Sequence, residues 1–327
     1  MITLTRRNLL LYFRNRSGVF FSLLGAMISF LLYIVFLKKS MISSWKTVPS
    51  SHQLLDFWLI GGTLSVTAIT TTFTSLGQLV KDKERKVIKD FYLTDLSHFE
   101  ITMSYMLSAA LIGFIMQIVM FALMIGYFSI TDNLTMPWES LPAVICVALF
   151  SSLLAVVINM LFIQFISRFD SLNAIGTIVG TASGFLVGTY IPIGILPNFA
   201  QLLIKLTPGA YVAAIYRQIL MADKLKTAFH GQQSHFEKTM GIKLEWHHLL
   251  TGMQTTVLLT IVFLLGIAVL LIVGLIRSKK NVRTVDWNSK YDETSRPMFC
   301  DYWLSIPSSK VYHKWLIYFS NLILLTA

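Results

Sequence analysis

Charged residues fall in blocks along the chain, and between the blocks lie six stretches with no Asp, Glu, Lys or Arg: Ser17–Leu37, Phe57–Val80, Ile101–Thr131, Ser140–Ser167, Ser171–Ile204 and Leu249–Ile276. The shortest has 21 residues. A helix rises about 1.5 Å per residue, so about 20 apolar residues cross a hydrocarbon core about 30 Å thick, and each stretch is long enough to span. The pattern predicts an all-α polytopic membrane protein with six transmembrane helices over residues 17–276.

Before the first span, Ile2, Leu9 and Phe13 share one side of a helical wheel with Arg7 and Arg14 opposite, although Leu4 and Leu11 blur the division. This predicts an N-terminal interface helix over residues 1–16 with its arginines snorkelling to phosphates, the plainer alternative being a cytoplasmic start that only obeys the charge rule. Ser17–Leu37 is too long for the apolar region of a secretory signal and ends in Lys38-Lys39 without a small-residue cleavage site, so it reads as a retained span. Alternate loops differ in charge. One side carries four Lys and Arg before the first span, five in 81–100, then Arg168, then four in 277–283; the other carries three in 38–56, none in 132–139 and six spread over 205–248. The positive side is the cytoplasmic one, which puts both termini in the cytoplasm.

Span two carries Thr63, Thr67, Thr70 and Thr74 at helical spacing. Such a stripe either bonds back to its own carbonyls and to a neighbouring helix or lines a pathway. Span five carries Gly176, Gly180, Gly184 and Gly188 at intervals of four, a ridge for helix packing inside the protomer or across a dimer. Ser171–Ile204 is too long for one straight span, and Pro192 and Pro197 predict a break near 190–192. A second helical piece over 198–206, a turn at Pro208-Gly209 and an amphipathic helix over 211–221 follow, making 190–248 an extracellular re-entrant and loop region at the outer leaflet. The cytoplasmic tail, 277–327, is polar to about Tyr302 and then aromatic and uncharged over Trp315–Ala327, which reads as surface-associated or poorly ordered, or as a truncated seventh span.

Composition agrees: 55% of residues are hydrophobic and 13% charged, against about 25% charged in a typical soluble domain. That excludes disorder, and the 18 Gly and 8 Pro exclude collagen-like sequence. Cys146 in a span and Cys300 in the tail make no disulfide framework. The net charge of +11 belongs to a basic cytoplasmic face rather than to nucleic-acid binding. There is no Gly-x-x-x-x-Gly-Lys-Ser/Thr loop, His-Glu-x-x-His, Gly-x-Ser-x-Gly or Cys-x-x-Cys. His247 and His248, with Glu245, His230 and His235, point in too many directions to predict a metal site. A membrane-embedded enzyme would need reactive groups near a membrane face, and only Cys146 lies inside a span. No catalytic residue, metal or cofactor is therefore expected on this chain, and no span holds a charged relay, so energy must come from elsewhere.

The loop Lys81–Ser97 supplies a route. Its charges describe a solvated face, but Val87, Ile88, Phe91 and Tyr92 form an apolar patch of the kind that docks in a groove on another protein. With Arg6-Arg7-Asn8-Leu9…Arg14-Asn15-Arg16, the Glu84-Arg85 pair and Pro192…Leu196-Pro197…Pro208…Tyr211…Arg217, the chain over about 1–283 resembles the membrane subunit of ABC-2 type exporters. The resemblance implies a coupling helix at about 81–97 with Glu84, Arg85, Val87, Ile88, Phe91 and Tyr92 facing a separately encoded ATPase, which carries the ATP and Mg. It also implies a second permease subunit, identical or related. The expected function is export of an amphipathic drug, toxin, peptide or lipid-like molecule across a bacterial plasma membrane. Export of polysaccharide or lipid-linked glycan, or a non-transporting anchor or immunity role, are the alternatives.

Overall fold

A computed structural model describes residues 1–45, 51–93, 96–228, 233–246 and 248–289. The aromatic tail, His230, His247, and Thr94 and Asp95 of the 81–97 loop lie outside the described residues. In chain order the helices are α1 (Ile2–Arg14), α2 (Arg16–Leu32), α3 (Lys38–Ser44), α4 (Ser51–Glu84), α5 (Val87–Phe91), α6 (His98–Asp132), α7 (Leu141–Ile163), α8 (Phe169–Leu186), α9 (Asn198–Lys205), α10 (Pro208–Ala228), α11 (Gln233–Thr239) and α12 (Gly252–Ser289). A π-helical turn, Tyr33–Leu37, joins α2 to α3.

Five described helices are long and apolar enough to cross a membrane, and the bent pair α9–α10 can count as a sixth. The fifth predicted span is shorter than expected. Its helix, α8, has 18 residues and ends at Leu186, before the expected break, because Gly188 turns the chain through a positive φ of 66°. Residues 193–195 form one 3-10 turn, α9 follows, and α10 leaves it at 85°.

Here the structure corrects the sequence reading. Pro208 and Gly209 open α10 rather than forming a turn, in keeping with the preference of proline for a first helical position, where its missing N–H has no partner to lose. Nor is α10 a surface helix at the outer leaflet: Ala210–Tyr216 are buried against α4 and α7.

The centre of the bundle is α4, which touches α2, α6, α7, α8 and α10. It admits so many neighbours because it is rich in small and hydroxyl residues, and backbones can approach closely over them. A side chain at Gly61 would come within 3.1 Å of the Arg217 backbone, and one at Gly62 within 2.5 Å of the Thr189 hydroxyl. Polar side chains then fasten the helices to one another. The Ser65 hydroxyl donates to the Gly209 carbonyl at 2.7 Å. Asn159 donates to the Ile69 carbonyl and the Thr72 hydroxyl, and the Gln117 amide oxygen accepts from both Ser151 and Tyr216.

Facing outward are apolar stripes. On α6 these are Leu107, Leu111, Ile115, Val119 and Leu123, four residues apart, and on α12 they include Val257, Ile261, Leu264 and Leu265. Solvent exposure of such stripes would be unfavourable in water but is the expected surface against lipid tails.

Helix α1 also differs from its expected orientation. Leu4, Thr5, Asn8 and Tyr12 are its buried face, while Ile2, Leu10 and Phe13 are exposed. Ser104 on α6 donates to the Met1 carbonyl, tying the start of α1 down. Asn15 breaks the chain and caps α2, accepting from the Gly18 N–H.

Candidate functional site

At the end of the bundle that carries α1 and α5, α4 runs past its last apolar turn into Lys81, Asp82, Lys83 and Glu84. Asp82 is almost fully buried and holds the corner together. Arg7 of α1 grips it with both guanidinium nitrogens, at 2.7 and 3.3 Å, Gln78 donates at 2.8 Å, and the Tyr105 hydroxyl of α6 donates at 2.5 Å. Hydrogen bonding to Asp82 holds the Arg7 guanidinium above its ordinary range. Arg7 is thus an internal tie rather than a side chain snorkelling to lipid phosphate.

Beyond Glu84 the helix stops because Lys86 takes a left-handed conformation, φ 61°, and α5 starts at Val87. Within α5 no residue is fully buried, yet Ile88 and Phe91 pack on the bundle's own apolar cluster of Leu76, Leu79, Val80 and Ile101. The Arg7 guanidinium sits 5.3 Å from the centre of the Phe91 ring. Phe91, a predicted docking residue, therefore has its main packing inside this chain. Exposed apolar surface lies one step on: Tyr92 is 48% exposed, Leu93 88% and Phe99 60%. The Tyr92 hydroxyl bonds His98 Nδ1 at 2.6 Å, and partial burial pushes the phenol's pKa up. Ser97 and Glu100 form a reciprocal cap at the start of α6, so the facet stands on a well-defined helix end.

Glu84 and Arg85 are both exposed, and they do different things. Glu84 accepts the backbone N–H of Phe169, the first residue of α8, at 3.0 Å, and Lys81 stands 4.3 Å above the Phe169 ring. A carboxylate at a helix start meets unpaired N–H groups and the positive end of the helix dipole. The loop is thereby fixed to α8 as well as to α1 and α4. Arg85 points outward beside Lys86 and Val87.

The threonine stripe lies mostly within the bundle. Thr63, Thr67 and Thr70 are buried and Thr74 is exposed; Thr67, Thr70 and Thr74 donate to carbonyls three or four residues back. The glycines do not form one ridge. Gly176 faces Phe73, Gly180 presents its carbonyl to Gly25 on α2, Gly184 leaves room for the Tyr190 ring, and Gly188 lies beyond the helix. A side chain at Gly25 would come within 2.8 Å of the Gly180 oxygen, whereas one at Gly180 would meet nothing within 4 Å. The close approach at that point is made by Gly25, on the partner helix.

At the opposite end are polar groups whose partners the sequence did not reveal. Arg217 on α10 is fully buried and donates to the carbonyls of Trp58, Gly188, Met240 and Gly241, with the Trp58 ring 4.6 Å away. Lys38 reaches both Asp56 at 3.4 Å and Asp132, while the Tyr33 hydroxyl donates to Asp56. The π turn at Tyr33–Leu37 flanks this group, and such turns break the normal helical phase. Arg217 lies outside the charge-free stretches and Asp56 at the edge of one, so a search for charges inside them passes over both.

No curated protein and no solved structure matches the chain. The profile of the ABC-2 type transporter family matches residues 1–221, more than half of it and all of the corner built on Asp82. The chain belongs to the ABC-2 type transporter family and is a membrane subunit of an ABC transporter.

Proposed function

We propose that this subunit exports an amphipathic molecule from the bacterial cytoplasm or inner leaflet, driven by a separately encoded ATPase that carries the ATP and Mg, and that it pairs with a second permease subunit. The α1–α5 end then faces the cytoplasm with both termini. One observation carries the reading: an exposed apolar facet, Tyr92 and Leu93 on the 81–97 loop and Phe99 in the first turn of α6, stands at a corner tied to α1, α4, α6 and α8. Exposed aromatic and aliphatic anchors suit a partner's groove. The ties behind them would turn a push on the loop into movement of four helices. In this scheme Tyr92 docks, Glu84 and Arg85 link the loop to α8 and to the partner surface, and Val87, Ile88 and Phe91 transmit force inward. The exposed Thr74 is the member of its stripe best placed to meet cargo.

Leu93→Asp tests this. Losing an interface anchor costs about 2 kcal/mol or more, roughly a thirtyfold weakening. The variant should fold normally, since Leu93 buries little, but should no longer co-purify with the ATPase or export substrate. Full association and export in Leu93→Asp, Tyr92→Asp and Phe99→Asp alike would remove the facet from the mechanism.

A further inference from the structure

Helix α9 has an unusual division of faces. Phe199, Leu202, Leu203 and Leu206, spaced as one side of a helix, are exposed, and Ile195 just before them is 69% exposed. Gln201 and Lys205, on another side of α9, line a cavity of about 230 Å³ whose walls also include His235, Lys238, Lys243 and Glu245. Its charge balance is uneven. Lys238 pairs with Glu245 and Lys243 with Glu237, but Lys205 has no carboxylate partner among the described residues and lies 5.8 Å from the Trp246 ring. Tryptophan and lysine together are typical of the headgroup level of a bilayer.

From this arrangement we propose that the α9 cavity binds the phosphate head of an anionic phospholipid, whose acyl chains lie along Phe199, Leu202 and Leu206. Three facts converge. The apolar strip needs lipid rather than water, the adjoining cavity has room and an ammonium group, Lys205, with no carboxylate partner among the described residues, and Gln201, whose amide nitrogen already donates to the Leu196 carbonyl at 2.8 Å, keeps a second N–H for a phosphate oxygen without adding negative charge. The arrangement also accounts for the position of α9, bent 85° away from the buried α10 so that its apolar side faces outward. The proposal is independent of what the transporter exports, because it concerns lipid held at the end opposite α5.

The test uses full-length protein in detergent, titrated separately with short-chain phosphatidylglycerol, short-chain phosphatidylcholine and inorganic phosphate, with bound ligand counted by native mass spectrometry. Phosphatidylglycerol should bind more tightly than the other two. Lys205→Gln should weaken it about fivefold and Lys205→Glu about twenty-five-fold, taking each unit of charge near a headgroup at its usual strength. Phe199→Asp should weaken the lipid while leaving any phosphate binding unchanged. Equal binding of phosphatidylcholine and phosphatidylglycerol, or no effect of either Lys205 variant in correctly folded protein, overturns the proposal. Inorganic phosphate binding as tightly as the lipid overturns its lipid half and leaves a phosphoanion site.

Discussion

Helices α4 and α12 are both long and apolar enough to cross a membrane, and they sort in opposite ways. Of the spans found by length and composition, α4 is the least apolar and α12 the most, yet 94% of the most apolar stretch of α4 is buried and only 11% of that of α12. A water-soluble core would reverse this order. In lipid the apolar surface gains little by being hidden, so association rests on close packing and polar bonds. Small and hydroxyl residues such as Gly61, Gly62, Ser65 and Thr72 therefore mark the interior, and Leu264 or Ile261 marks the outside.

The largest expected effect tests whether polar ties hold α4 in place. Asp82→Ala leaves Arg7 half-buried without its partner, and breaking such a pair costs about 3–5 kcal/mol. Unfolding of the detergent-solubilised variant by a stronger denaturing detergent should show that loss, and adding Arg7→Met should recover much of it. Additive losses in the double variant would mean that the two residues act independently.

Next is a direct comparison of leucines. Leu59 on α4 is fully buried, so Leu59→Ala should cost about 2–5 kcal/mol. Leu264→Ala on α12 belongs at the bottom of the scale, within about 0.5 kcal/mol, since Leu264 is 58% exposed. Similar losses at the two positions, read in the same titration, would erase the distinction between the helices.

Between these fall the glycines. Gly62→Leu forces bulk against Thr189 and Arg217 and should cost about 1–3 kcal/mol. Gly25→Leu should behave likewise, while Gly180→Leu should leave the stability of the protomer nearly unchanged because its own side points into open space. A transport defect confined to Gly180→Leu, with stability intact, would place that open side in a contact between permease subunits.

Five of the six predicted spans, the first four and the last, match helices long and apolar enough to cross a membrane, because a length of uncharged residues is a property of the chain alone; the fifth does not, since its uncharged stretch is divided between α8 and α9. The apolar patch on the 81–97 loop was legible too, since Val87–Tyr92 interrupts a run of charge with apolar side chains. The sequence could not say which side of that loop turns outward. Phe91 and Tyr92 are adjacent and both aromatic, and only the packing of Phe91 on Arg7 and the bundle core separates the half-buried ring from the exposed one. Four glycines at even spacing likewise looked like one surface, but each meets a different neighbour once α8 is placed and its end at Leu186 is set. Arg217 is the clearest case. Its burial depends on four carbonyls drawn from the start of α4, the turn after α8 and the segment after α11. Spacing along one chain determines which helices form and how long they are; the partners that satisfy a buried polar group come from distant segments, so only the tertiary structure decides them.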